Sequence, residues 1–349
     1  MSLLVDIEKT AGSFHLRMKF EAENGVLSLL GASGCGKSMT LKCIAGIETP
    51  DRGRIVLDGV TFFDSEQRIN LPPQKRRVGY LFQQYALFPN MTVRQNIRCG
   101  CRNRDRRSAD AAVAEIIRAM RLEGLENLRP AALSGGQQQR AALARILVNE
   151  PEVLLLDEPF SALDSHLRLQ LEQEVRRVTR SFGKPVIFVS HNREEVFRLT
   201  DRIALMKAGH IETLGEKNAV FSNPVTLSGA ALVGCRSFSR IRPIESFRVF
   251  AEDWGAELTL LDIPAGCTHV GIRAQDVRFG PEDKNSVRCR VAEVIENPFS
   301  VTLELLPLTA LPGADTVSCR CGKEFYEKIK AEELTVSLPP ESLLLLKES

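Results

Sequence analysis

Short apolar runs recur along the first part of the chain: Val26–Leu30, Arg54–Leu57, Val78–Phe82, Val153–Leu156 and Val186–Ser190. Each has the length of a buried strand and is bounded by polar or glycine-containing segments. Helical spacing fills the gaps. In Ser108–Met120 the apolar residues Val113, Ile116, Ile117 and Met120 fall at i, i+3, i+4 and i+7, with Ser108 placed to act as N-cap. Lys37–Ala45 reads as a helix that Gly46 stops. Strands alternating with helices predict an α/β unit with a mainly parallel sheet, here over residues 1–225, preceded by what reads as a short N-terminal hairpin. Beyond about residue 222 helical spacing thins. Strand-like runs take over at Phe247–Ala251, Glu257–Leu261, Val270–Arg273, Val287–Val294 and Ser300–Leu305, with turns at Asp253-Trp254-Gly255 and Leu311-Pro312-Gly313. This predicts a smaller, mostly β domain over 230–349.

Composition narrows the class. A chain of 349 residues suggests two domains, and 44% apolar with 26% charged residues is ordinary for a globular protein. Lys and Arg total 46 against 44 for Asp and Glu, so no basic excess argues for a nucleic-acid partner. Met1–Asp6 shows neither the basic nor the apolar stretch of a secretory signal. No apolar run approaches the ~20 residues of a membrane span, so a membrane role needs a partner. The nine cysteines are scattered, which fits reduced cytosolic thiols. Cys99-Gly100-Cys101 and Cys319-Arg320-Cys321 lack the C-x2-C spacing and the nearby His pair of a structural zinc site.

Three stretches carry chemistry. Gly31-Ala32-Ser33-Gly34-Cys35-Gly36-Lys37-Ser38 fits G-x-x-x-x-G-K-[ST]. Its glycines let backbone N–H groups curl around phosphate oxygens, Lys37 reaches the β- and γ-phosphates, and the Ser38 hydroxyl suits Mg²⁺. Such a turn is also ordinary chain punctuation, but the strand before and the helix after supply the required context. Cys35 fills a free position. The second stretch, Val153-Leu154-Leu155-Leu156-Asp157-Glu158, is a strand ending in two carboxylates. Its end points at the crevice where ligands sit in α/β sheets. Asp157 suits Mg²⁺ and Glu158 suits a general base toward water. The third is Leu133-Ser134-Gly135-Gly136-Gln137, a second glycine turn opening onto the helical Ala141–Leu147. It has the positive end of a helix behind it but neither a Lys nor a Mg²⁺ ligand of its own.

Leu133–Gln137 resembles the signature motif of ABC (ATP-binding cassette) ATPases. The order of Walker A (31–38), Gln83, signature (133–137), Walker B (153–158), Ser161-Ala162-Leu163-Asp164 and His191 is the order of that family, over about 220 residues. The resemblance implies a P-loop cassette with an inserted helical subdomain at about 84–150, using ATP and Mg²⁺. It assigns nucleotide binding to Gly31 through Ser38 and Met39. Mg²⁺ falls to Ser38, Asp157 and Gln83, and catalysis to Glu158, His191 and Gln83. Gln83 resembles the Q-loop glutamine and His191 the switch histidine. Ser161, Ala162, Leu163 and Asp164 resemble the D-loop, which speaks across a dimer. Leu133, Ser134, Gly135, Gly136 and Gln137 are implied to meet the partner's ATP in a homodimer. The family's adenine-stacking aromatic is missing from its usual place, where Glu8 and Lys9 stand, and Phe14 is the nearest aromatic substitute.

The segment between Walker A and the signature is too short for the long coiled coil of chromosome-maintenance relatives, and a single cassette excludes the tandem translation-factor type. Gln83–Ile97 resembles the segment that meets the coupling helices of a permease; its aromatic residues also suit plain core packing. Thr268–Phe279 and Val291–Leu305 resemble parts of the small β folds called TOBE or MOP. Together these imply the ATPase subunit of an oxyanion importer, molybdate or tungstate first and sulfate, thiosulfate or another small solute second. Such a subunit sits at the cytoplasmic face of the membrane, on a two-copy transmembrane permease fed by an extracytoplasmic solute-binding protein. Its C-terminal domain is a candidate oxyanion site. An oxyanion-sensing module with secondary ATPase activity, and a soluble regulator without a membrane partner, are the other classes.

Overall fold

The computed structural model describes residues 1–101, 105–161, 165–280, 284–310, 313–329 and 332–348. The chain divides into two compact units, Met1–Lys217 and Asn218–Ser349. The strands of the first are β1 (Ser2–Ala11), β2 (Phe14–Glu23), β3 (Gly25–Gly31), β4 (Arg52–Leu57), β5 (Val60–Asp64), β6 (Ile69–Asn70), β7 (Val78–Leu81), β8 (Val153–Asp157), β9 (Pro185–Ser190), β10 (Arg202–Lys207) and β11 (His210–Glu216). Among the described residues these form one sheet in the order β6-β5-β4-β1-β2-β11-β10-β3-β9-β8-β7. Its helices are α1 (Lys37–Ala45), α2 (Val93–Arg98), α3 (Arg106–Ala119), α4 (Gly135–Leu147), α5 (Ser165–Phe182) and α6 (Arg193–Leu199).

The sheet has two characters, and burial explains both. β10, β3, β9, β8 and β7 run parallel. β8 and β9 are buried along their whole length, as strands covered on both faces must be, so they read as unbroken apolar runs. The first two strands instead alternate: Leu16, Met18, Phe20 and Ala22 of β2 are buried while their neighbours face water. β1 and β2 pair antiparallel from Ser2↔Glu23 to Ala11↔Phe14. The N-terminal hairpin is therefore not short, since each strand has ten residues. Period-two alternation is a weaker signal than a continuous apolar run, which is why this hairpin is easy to underestimate from sequence.

α1 spans Lys37–Ala45 and ends on Gly46, whose φ of 79° is a left-handed C-cap. α3 begins earlier than its apolar spacing suggests. Its N-cap is Asp105, which accepts the Ser108 amide and hydroxyl, so Ser108 lies inside the first turn. α4 begins at Gly135, with Ser134 as N-cap. The two signature glycines are thus the first turn of the helix and not a loop ahead of it.

The second unit is β-rich. Its strands are β12 (Ser237–Glu245), β13 (Arg248–Ala251), β14 (Ala256–Thr259), β15 (His269–Ile272), β16 (Arg278–Phe279), β17 (Ser286–Glu296), β18 (Val301–Pro307), β19 (Val317–Cys321), β20 (Glu333–Ser337) and β21 (Leu344–Leu346). Among the described residues they make two sheets, β14-β13-β12-β15-β21 and β16-β20-β17-β18-β19. These enclose one barrel-like core built on Trp254, Val270, Ile272, Cys289, Leu303, Leu305 and Cys319. Asp253-Trp254-Gly255 is a turn, with Trp254 fully buried. Of the turn expected at 311–313, Leu311 and Pro312 lie outside the described residues, and Gly313 has a φ of 83°. Among the described residues, no helix is long and apolar enough to cross a membrane.

Candidate functional site

Four adjacent parallel strands, β3, β9, β8 and β7, bring their C-terminal ends to one edge of the sheet. Each strand end carries one of the expected elements. β3 runs into the 31–38 loop, β8 ends on Asp157 and Glu158, β9 ends at Ser190 before His191, and β7 ends shortly before Gln83. This is where an α/β sheet presents groups to a ligand. A cavity of about 520 Å³ lies there, lined by residues that include Ala11, Phe14, Ser33, Gly34, Lys37, Ser38, Met39 and Glu158.

The loop is shaped by its glycines. Gly34 and Gly36 have φ of 82° and 101°, a region side-chain-bearing residues avoid. A Cβ on Gly36 would lie 2.5 Å from Leu16 Cδ1, so the loop packs directly onto β2. No side chain caps the N-terminus of α1, which leaves its first amides for a ligand. Lys37 is buried, and its Nζ donates to the carbonyls of Gly31 and Ala32 at 2.8 Å each. The ammonium is folded back over its own loop. Ala32 and Ser33 are exposed, and Cys35 is buried with Sγ 3.8 Å from Lys37 Nζ.

Ser38 Oγ donates to Asp157 Oδ1 at 2.8 Å, and Tyr80 OH donates to Asp157 Oδ2 at 2.8 Å. Hydroxyl and carboxylate oxygens in contact at a helix N-terminus form the hard donor set that suits Mg²⁺, and the uncapped glycine loop beside them suits the phosphates of ATP. Tyr80 was not anticipated from the sequence. In an apolar strand, a tyrosine whose hydroxyl reaches a carboxylate is indistinguishable from a packing residue. Burial, and then the adjacent Asp157 carboxylate, push its phenol well above the usual tyrosine range.

Glu158 has a φ of 44°, a strained conformation for a residue with a side chain. Its N–H donates to Val189 O at 3.0 Å, and its carbonyl accepts from Ser161 N and Ser161 Oγ at 3.2 and 3.0 Å. Glu158 Oε1 lies 3.2 Å from His191 Nδ1. The turn carrying His191 is braced from below. Ser190 Oγ donates to the buried Glu195 at 2.7 Å and accepts from Asn192 N at 2.9 Å. Burial raises the Glu195 carboxyl above its ordinary value. This brace also escaped the sequence, since nothing in a single chain marks Glu195 off from other helix-surface acids.

The remaining expected residues are more dispersed. Gln83 is exposed, and among the described residues no hydrogen bond joins it to Ser38 or Asp157. Next to it, Tyr85 and Ala86 have φ of 43° and 49°. Arg145 of α4 holds them by donating to their carbonyls at 3.1 and 2.8 Å. Leu133 is buried and Gly136 packs against Leu171. Ser134 and Gln137 form a reciprocal capping box, with Ser134 N donating to Gln137 Oε1 at 2.9 Å. Ser161 is exposed; Ala162, Leu163 and Asp164 lie outside the described residues.

Against known proteins, residues 15–161 match the family model described as ABC transporter. Two solved structures of the cassette MJ0796, one of a dimeric post-hydrolysis state bound to ADP and Pi, superpose with a TM-score of 0.52. They have 28% and 29% identity and cover 62% of this chain and 99% of theirs. The fold is that of an ABC ATPase cassette. The cassette is also similar to proteins named spermidine/putrescine import ATP-binding protein PotA. The relative from Methylococcus capsulatus is 46% identical over 223 residues, 63% of this chain and 56% of its own length. That from Bacillus cereus is 45% identical over 215 residues, 61% of this chain and 64% of its own. The chain thus spans less than two-thirds of the length of the curated relatives it matches.

Proposed function

We propose that this chain is the ATP-hydrolysing subunit of an ABC importer. The observation that carries this reading is one cavity walled by an uncapped P-loop, by Ser38, which is bonded to Asp157, and by Glu158, which touches His191. In this reading the loop amides and Lys37 hold the triphosphate, and Lys37 exchanges its carbonyl partners for phosphate oxygens. Ser38 and Asp157 would hold Mg²⁺, and the metal would supply charge neutralisation at the transferring phosphoryl group. Glu158 takes a proton from the attacking water, and His191, held 3.2 Å away, orients it and faces the γ-phosphate. Gln83 reports on the metal from the end of β7, and Phe14, on the cavity wall, stacks on the base. Ser134–Gln137 lacks every one of these catalytic groups. It serves a second copy's nucleotide across a twofold interface, with Ser161–Asp164 beside it. Gln83–Ile97 faces a two-copy permease, which places the chain at the cytoplasmic face of the membrane, with a solute-binding protein acting from the other side.

Two readings of the solute each have their own support. The relatives' name favours a polyamine, a polycation. The likeness of Thr268–Phe279 and Val291–Leu305 to TOBE or MOP segments favours an oxyanion, molybdate or tungstate, with the β unit as its sensor. The experiment is ATP turnover by the transporter reconstituted with its permease, challenged with spermidine, molybdate, tungstate and sulfate. Stimulation by one class names the solute. No turnover above that of a Glu158→Gln control would overturn the ATPase reading itself.

A further inference from the structure

Asp157 has two oxygens, and the structure occupies them differently. Oδ1 accepts from Ser38, which any phosphate-bound metal would also approach. Oδ2 accepts at 2.8 Å from the hydroxyl of Tyr80, on the neighbouring strand β7. β7 and β8 run parallel with Tyr80 opposite Leu155. Asp157 lies two residues further along β8, on the same face as Leu155. Tyr80 therefore leans along the strand direction to reach the carboxylate, a diagonal reach that long side chains make in sheets. Its ring is held in turn, with its centroid 4.3 Å from that of Phe82. Asp157 itself is buried, so water does not compete freely for Oδ2.

We propose that Tyr80 is a positioning residue for the metal: its hydroxyl pins one oxygen of Asp157 and so turns the other toward Ser38 and the divalent cation. Outer-layer partners of this kind fix ligand orientation, and their loss costs about 10- to 100-fold in metal affinity elsewhere. Phenylalanine at 80 keeps the ring and its packing on Phe82 but frees Oδ2, so Asp157 rotates and samples geometries that do not bind. The inference rests on the Mg²⁺–nucleotide reading given above.

The test uses the full-length chain and Mn²⁺ as probe. Electron paramagnetic resonance reads Mn²⁺ affinity in the presence of a non-hydrolysable ATP analogue, and binding of the same analogue is measured in EDTA. Tyr80→Phe is expected to weaken Mn²⁺ about tenfold, to leave metal-free analogue binding unchanged, and to raise the Mg²⁺ needed for half-maximal turnover by the same factor. Tyr80→Met, which also lacks the hydroxyl, is expected to match it in Mn²⁺ affinity. Unchanged Mn²⁺ affinity in Tyr80→Phe would overturn the proposal. So would an equal loss of metal-free analogue binding, which would make Tyr80 a general structural support. If the unaltered chain binds no analogue under either condition, the failure belongs to the nucleotide reading and not to Tyr80.

Discussion

The chain contains two glycine-bearing turns ahead of helices, and they are built on opposite principles. At 31–38 no side chain caps α1 and two glycines take left-handed φ, so no side chain of the protein occupies the helix start. At 133–137 Ser134 caps α4 and Gln137 returns the bond, so the helix start is closed on itself. Both carry the positive end of a helix, but only the first leaves that end without a side-chain cap. The second turn instead offers a rigid, capped surface, suited to completing a site assembled elsewhere.

The comparison breaks first at Ser134. Arginine there fills the capped surface with a bulky charge, and turnover should fall on the order of 10²–10³-fold, the scale of losing a transition-state donor. Nucleotide binding by the isolated chain should persist. Equilibrium binding with a fluorescent analogue beside steady-state turnover separates the two, and a joint loss would show that this turn serves its own chain's nucleotide. Lys37→Ala addresses the other side. It removes a charged donor from the first turn, and analogue binding should weaken about 10- to 100-fold. Its carbonyl partners at Gly31 and Ala32 are left free, so the melting temperature of the ligand-free chain reports how much of Lys37's role is internal.

The smallest effect concerns the hairpin end that walls the first turn. Thr10 N–H donates to Asp51 at 2.7 Å, and this bond, more than nearby Lys9, holds the Asp51 carboxyl below its ordinary 3.8. A carboxyl depressed in the folded state stabilises above its unfolded value, and that contribution disappears as pH falls below 3.8. Asp51→Asn should therefore melt slightly lower than the unaltered chain at neutral pH, with the gap closing through the acid range. Asp51 is largely exposed, so the gap is small. A gap that stays constant down to acid pH would mean the anchor is steric.

What could be read from sequence follows the strength of the local signal. α1 and its Gly46 stop, and the wholly buried β8 and β9, are set by continuous apolar runs and one glycine, and these agree with the structure closely. The start of α3 did not agree, because Asp105 and Ser108 are both good caps and only three-dimensional bonding chooses between them. The length of the hairpin lay in the alternation of Leu16, Met18, Phe20 and Ala22, a pattern that competes with its charged neighbours. At the site, motif spacing named Ser38, Asp157, Glu158 and His191. Tyr80 and Arg145 are supports whose partners, Asp157 and Tyr85, lie far away in sequence, while Glu195 sits five residues from Ser190 but looks like any other helix acid.

Glu158 carries one more consequence, through its left-handed φ of 44°. Glycine adopts that backbone freely, while glutamate holds it at a cost on the order of 1 kcal/mol. A campaign that ranked variants of this protein by heat resistance alone would be drawn to glycine at 158 and would select, as its improved product, a protein stripped of the carboxylate proposed as its general base. At this position thermal robustness and chemistry are opposed by the backbone itself, and only a screen that scores turnover would preserve the glutamate.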